Sequence, residues 1–223
     1  MSDLGAREKA PRRRGRKPQA RSAATRESIL DAALECLVER GYARTATADV
    51  AERAGVSRGA QLHHFPTRAG LLAATVEHLA ERRLAELGRT LEARERTGDE
   101  IDAAVDFVWA AYSDPTAYAS LELLIAARTD DDLLAHLRPV AERFEGTLAE
   151  ADLALAPDSM ARERRAALRK LVIAAIQGLA VMRVLDDDDA STEIVLDLLK
   201  DLCRRSLAAE ARADRQDPGP QGS

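Results

Sequence analysis

The stretch "TATADVAERAGVSRGAQLHHF", Thr45 to Phe65, holds two short helical patterns around a turn. The first runs from about Ala46 to Ala54, with Thr45 as a candidate N-cap and Val50 and Ala51 facing inward. Gly55 can take the left-handed conformation of a tight turn, and Ser57 can cap a second helix reaching to about His64. Two short helices joined by "GVS" make a helix-turn-helix. The first packs across the second, and the second is short enough to enter a major groove and present side chains to base edges. Its free N–H groups and positive dipole end also favour a phosphate. The adjacent His63 and His64 do not suggest a metal. Neighbours on a helix point about 100° apart, whereas zinc asks for residues at i and i+4 with further ligands nearby.

Upstream, Ile29, Leu30, Ala33, Leu34, Leu37 and Val38 recur at helical spacing until Gly41 closes that helix at its C′ position. Downstream, Pro66 and Thr67 open a longer helix with Leu71, Leu72, Val76 and Leu79 on its apolar side. The whole run, "ILDAALECLVERGYARTATADVAERAGVSRGAQLHHFPTRAGLL", resembles the DNA-binding domain of the tetracycline-repressor (TetR-like) family of bacterial regulators. The likeness rests on the Ile-Leu-x-Ala-Ala opening, Gly41-Tyr42, Asp49-Val50-Ala51, Ala54-Gly55-Val56-Ser57, Gly59 and His64-Phe65.

The resemblance implies a set of DNA contacts. Thr47 would meet a phosphate, Ser57 and Arg58 would open the recognition helix, and Arg58 would reach guanine edges. Gly59 would let the backbone approach, Ala60 would touch a thymine methyl, and His63 would face bases or phosphate. His64 would lie near the sugar–phosphate backbone and Arg68 would bind a phosphate. This chain has Ala60-Gln61-Leu62 where members often carry Thr-Leu-Tyr. Gln61 is therefore either an adenine reader or a satisfied buried amide.

Charge supports a polyanion at one end only. Residues 1–70 carry 14 Lys and Arg against 8 Asp and Glu, whereas residues 71–223 carry 19 against 30. The arm "RRRGRKP", with Arg14 and Arg16, either lies in a narrow minor groove or acts as a non-specific electrostatic tether. Aromatic residues make up only 3% of the chain, which lowers the expectation of a sheet. The two cysteines, Cys36 and Cys203, belong to no motif. No apolar run approaches the roughly 20 residues of a spanning helix, so no membrane is expected and the cytoplasm is the default compartment.

Residues 71–209 carry amphipathic segments punctuated by turn and cap residues at "SDP", "TDDD", "APDS" and "DDDDAS". The segments are expected near 99–113, 115–128, 130–154, 158–185 and 190–209. Here the resemblance implies a pocket for a small-molecule effector. Phe107, Trp109, Tyr112, Tyr118 and Phe144 are the candidate walls, and Glu122, Arg128 and Gln177 the candidate anchors. It also implies a four-helix homodimer interface. Leu168, Val172, Ala175 and Leu179 on one helix and Ile194, Leu198 and Leu202 on the next are the candidates.

The expected architecture is all-α with about nine helices. A basic disordered arm (1–21) precedes a three-helix DNA-binding domain (22–70), an effector-binding and dimerisation domain (71–209) and a disordered tail (210–223). The expected function is that of a ligand-released repressor acting on an inverted-repeat DNA operator, with no cofactor and no catalytic site. The rivals are an architectural DNA-binding protein without operator specificity and an all-helical enzyme.

Overall fold

The computed structural model describes residues 16–93, 100–155, 160–185 and 188–216. Among them are nine helices and no strand. They are α1 (Arg16–Arg44), α2 (Thr47–Arg53), α3 (Arg58–His64), α4 (Arg68–Ala93) and α5 (Glu100–Tyr112), followed by α6 (Pro115–Ala126), α7 (Asp131–Leu155), α8 (Arg162–Arg183) and α9 (Asp189–Gln216).

Helix α1 begins at Arg16, inside the expected arm. Pro18 falls in its first turn, where a missing N–H costs nothing, and Arg, Gln and Ala are good helix formers. The helical path breaks at Gly41 (φ 74°, ψ 173°), which takes an extended, positive-φ conformation open to glycine rather than the left-handed helical angles of the expected C′ cap. At the other end α9 continues to Gln216, past the expected boundary at residue 209.

Caps punctuate the body. Asp114 accepts from Thr116 N at 2.8 Å to open α6 behind Pro115. Asp130 accepts from Leu133 N at 3.0 Å to open α7, and Asp188 accepts from Ala190 N at 3.1 Å to open α9.

Among the described residues, three apolar clusters hold the helices together. Ile29, Leu30, Ala33, Cys36, Val50, Phe65 and Leu71 form the core of the N-terminal head. Leu37, Leu72, Leu123, Leu133 and Leu137 knit α1 and α4 to α6 and α7. Val105, Ile176, Leu196, Leu199 and Cys203 join α5, α8 and α9, and Lys200–Asp106 (2.6 Å) and Arg204–Asp102 (3.0 Å) flank that seam. Each fully buried leucine contributes about 1.5–3 kcal/mol. Through the middle cluster α1 of the head and α6 and α7 of the body share one core. Among the described residues no helix is long and apolar enough to cross a membrane.

Candidate DNA-binding face and ligand cavity

The turn between α2 and α3 closes as its sequence requires. Gly55 has φ 66°, and Val56 N–H reaches back to Ala51 O at 3.0 Å. Ser57 Oγ accepts from Ala60 N at 3.2 Å and so caps α3. Thr45 does not cap α2. Its side chain is buried, its hydroxyl donates to Gly41 O at 2.8 Å, and α2 starts at Thr47 with Ala46 as an uncapped N-cap. Ion pairs lock the pair of helices to α1: Arg40 to Asp49 at 2.6 Å, and Arg53 to Glu39 at 2.7 Å through Nη1.

Arg58, Gly59, Leu62 and His63 are exposed on one face of α3, with Ala60 and His64 half-buried beside them and Thr47 half-buried at the start of α2. The two imidazoles stand edge to face, 5.6 Å between centroids. Two expected contacts turn inward instead. Gln61 is 0% exposed; its Nε2 donates to Phe65 O at 3.1 Å and its Oε1 has no partner. It cannot read adenine, because the amide fills the inner side of α3 and ties down its C-terminus.

Arg68 is not a free phosphate ligand either. Its Nε donates to Thr45 O at 3.0 Å and its Nη2 to Tyr42 O, while the guanidinium stacks 4.2 Å from the Tyr42 ring centroid. Carbonyls at and just beyond the end of α1 hold the cation there, where the helix C-terminus favours positive charge. Arg14 lies outside the described residues. Arg16 belongs to the first turn of α1, but its side chain lies outside them as well.

A cavity of about 150 Å³ sits between α4, α5, α6, α7 and α8. Three of the candidate pocket residues, Tyr112, Phe144 and Gln177, line it, together with Val76, Leu79, Arg83, Ser120, Leu121, Leu124, Leu137 and Val140. Tyr118 lines a small adjoining recess and donates to Ala180 O at 2.8 Å.

The other four expected pocket residues lie elsewhere. Trp109 packs in the α5–α8–α9 cluster under Arg183, 5.6 Å from its ring centroid. Phe107 is half-buried away from the lining, and Arg128 is exposed beyond the end of α6. Glu122 points at Gly41, where a Cβ would stand 2.9 Å from its Oε2. For Trp109, Phe107 and Glu122 the rotation of the helix places the side chain away from the cavity lining, and Arg128 lies past the end of its helix.

The sequence reading missed Arg83, which occupies the turn after Leu79 on the stripe Leu72, Val76, Leu79. A charged residue continuing an apolar stripe was the signal available.

On α8, Leu168, Val172 and Leu179 pack inward against α5 and α9, so they do not form an outer face. The exposed stripe consists of Leu171, Ala175, Gly178, Met182 and Leu185, and on α9 of Ile194, Leu198 and Leu202. The apolar pattern wraps most of α8, which leaves two faces that spacing alone does not separate.

A three-helix head whose second short helix offers Arg58 and His63 to solvent defines a helix-turn-helix DNA-binding protein. Residues 29–75 match the family of bacterial regulatory proteins named for tetR. The HTH-type transcriptional regulator CymR of Pseudomonas putida is 32% identical over 205 residues, 89% of this chain and 98% of that protein. Among solved structures, a TetR-family regulator from Rhodococcus sp. superposes with TM-score 0.67 at 21% identity, covering 83% of this chain and 99% of that one. The multidrug binding protein EbrR, crystallised with imidazole, gives TM-score 0.61 at 21% identity over 86% and 97% of the two chains. The chain belongs to the TetR family and is a DNA-binding transcriptional regulator.

Proposed function

We propose that the protein is a cytoplasmic, ligand-released repressor that grips an inverted-repeat operator as a homodimer. One observation carries the reading. Helix α4 starts four residues after α3, is held to the head by Arg68, and places Val76, Leu79 and Arg83 on the cavity wall. A ligand that prefers one tilt of α4 thereby biases the orientation of the recognition helix, and binding and release become linked equilibria. A neighbour of the same fold, EbrR, holds imidazole, which supports a small-molecule effector. The exposed stripes of α8 and α9 support pairing with a second copy, and two heads read enough bases for specificity.

Footprinting on DNA flanking the protein's own gene tests this. Two protected half-sites related by inversion, about one helical turn or a multiple apart, are expected to survive excess unrelated DNA. Uniform protection removed equally by any competitor would instead favour an architectural protein.

A further inference from the structure

The cavity differs from a plain apolar pocket in one respect, its cation. No Asp or Glu occurs among its described lining residues, yet Arg83 stands in the wall with its side chain only 19% exposed. Arg83 Nη2 donates to Thr116 Oγ1 at 2.7 Å. The acid beside it, Asp114, is 3.8 Å away and already accepts from the Thr116 amide and hydroxyl. Burial holds the guanidinium below its ordinary range, and the opposing pull of Asp114, Tyr112 and Glu86 is the smaller effect. A cation that is desolvated and incompletely neutralised favours an incoming anion.

Two polar groups join it. Burial pushes the Tyr112 phenol up, so it stays a neutral donor near neutral pH, and Gln177 lines the same wall. Apart from Ser120, whose hydroxyl donates to Thr116 O at 3.1 Å, the remaining wall is aliphatic and aromatic. A volume of about 150 Å³ is that of an engineered protein cavity that takes up a benzene ring.

We propose that this cavity binds a compact monoanion, a carboxylate on a single-ring apolar body. Its head meets Arg83 with Tyr112 and Gln177 beside it, and its ring lies against Leu79, Leu137 and Phe144. Guanidinium suits this task because its planar fork matches a carboxylate. The assignment names the effector class of the proposed repressor, and so rests on that reading for its consequence.

The test uses the full-length chain and three one-ring compounds that differ in head charge: benzoate, benzamide and benzylamine. Calorimetric titration should show saturable benzoate binding, with the neutral and cationic compounds weaker by about tenfold or more. Arg83→Met should weaken benzoate by about ten- to hundredfold and leave benzamide unchanged. The assignment is overturned if benzamide or benzylamine binds as tightly as benzoate, or if benzoate does not bind at millimolar concentration. The compound series on the unaltered chain decides this even where Arg83→Met fails to fold. Operator binding measured alongside separates the two readings. Benzylamine displacing DNA where benzoate does not removes the anion assignment and keeps ligand release. Benzoate binding that leaves DNA affinity unchanged keeps the anion site and removes ligand release.

Discussion

The Tyr42 hydroxyl donates to Asp130 Oδ2 over 2.6 Å, linking the residue after the α1 bend to the cap of α7. The Leu133 amide and then the Tyr42 hydroxyl hold the Asp130 carboxyl below its ordinary value of 3.8. Burial, then the bond to Asp130, pushes the Tyr42 phenol above its ordinary value of 10.0. A depressed carboxyl contributes stability that is present above its unfolded pKa and lost as pH falls through the folded one. A raised phenol contributes stability present below its unfolded pKa and lost as pH rises through the folded one. Thermal midpoints should therefore fall below about pH 4 and above about pH 10. Asp130→Asn should flatten the acid limb and Tyr42→Phe the alkaline limb. Superimposable pH profiles for variants and parent would remove this account.

Gly41 supports a second expectation. Its φ of 74° disfavours any side chain, and a Cβ would come within 2.9 Å of Glu122 Oε2. Gly41→Ala should cost about 1–3 kcal/mol from the backbone alone, measured by denaturant unfolding. Adding Glu122→Ala should recover only the part due to the contact. Full recovery would show that backbone conformation carries no penalty here.

On α3, Arg58 and Gln61 should behave oppositely. Arg58→Ala is expected to weaken operator binding by about 1–3 kcal/mol and relax base preference at one position. Gln61→Leu should leave base preference unchanged in a selection from random DNA. It removes an unpartnered buried oxygen along with one hydrogen bond, so stability should stay within about 1 kcal/mol of the parent. A changed preference at an adenine would return Gln61 to the groove.

The exposed stripe makes the fourth expectation. Leu198 is 60% exposed in the single chain, among Ile194, Leu202 and Met182. Leu198→Glu would place a charge in the centre of a paired face, and sedimentation should report a shift from dimer towards monomer. The inward, half-buried Leu168→Ala should instead lower stability by roughly 1–3 kcal/mol, less than a fully buried leucine would. An unaltered oligomeric state for Leu198→Glu would place the interface elsewhere.

What the sequence made legible follows from how local each signal is. The turn at Gly55, the Ser57 cap and the bend at Gly41 are set by backbone conformation and by a side chain three residues away, so spacing reveals them. Which side of α8 faces α5 is set by tertiary packing, and Leu168 and Leu171 look alike at the start of a run, 171–182, that is apolar nearly all round. Glu122 and Trp109 were misplaced for the same reason, since composition suggests a pocket without stating the rotation of its helices. Gln61 is the informative case. Both of its readings suited the motif, and only the burial of its amide against Phe65 O separates them.

The inward turn of Arg68 has a consequence for the ionic atmosphere around the duplex. Each cation seated on a phosphate displaces condensed counterions and steepens the decline of affinity with salt by roughly 0.9 in logarithmic slope. A guanidinium engaged with Thr45 O and Tyr42 O displaces none. The head thus surrenders some indiscriminate grip on any duplex, and a larger share of its hold on DNA falls to the exposed side chains of α3.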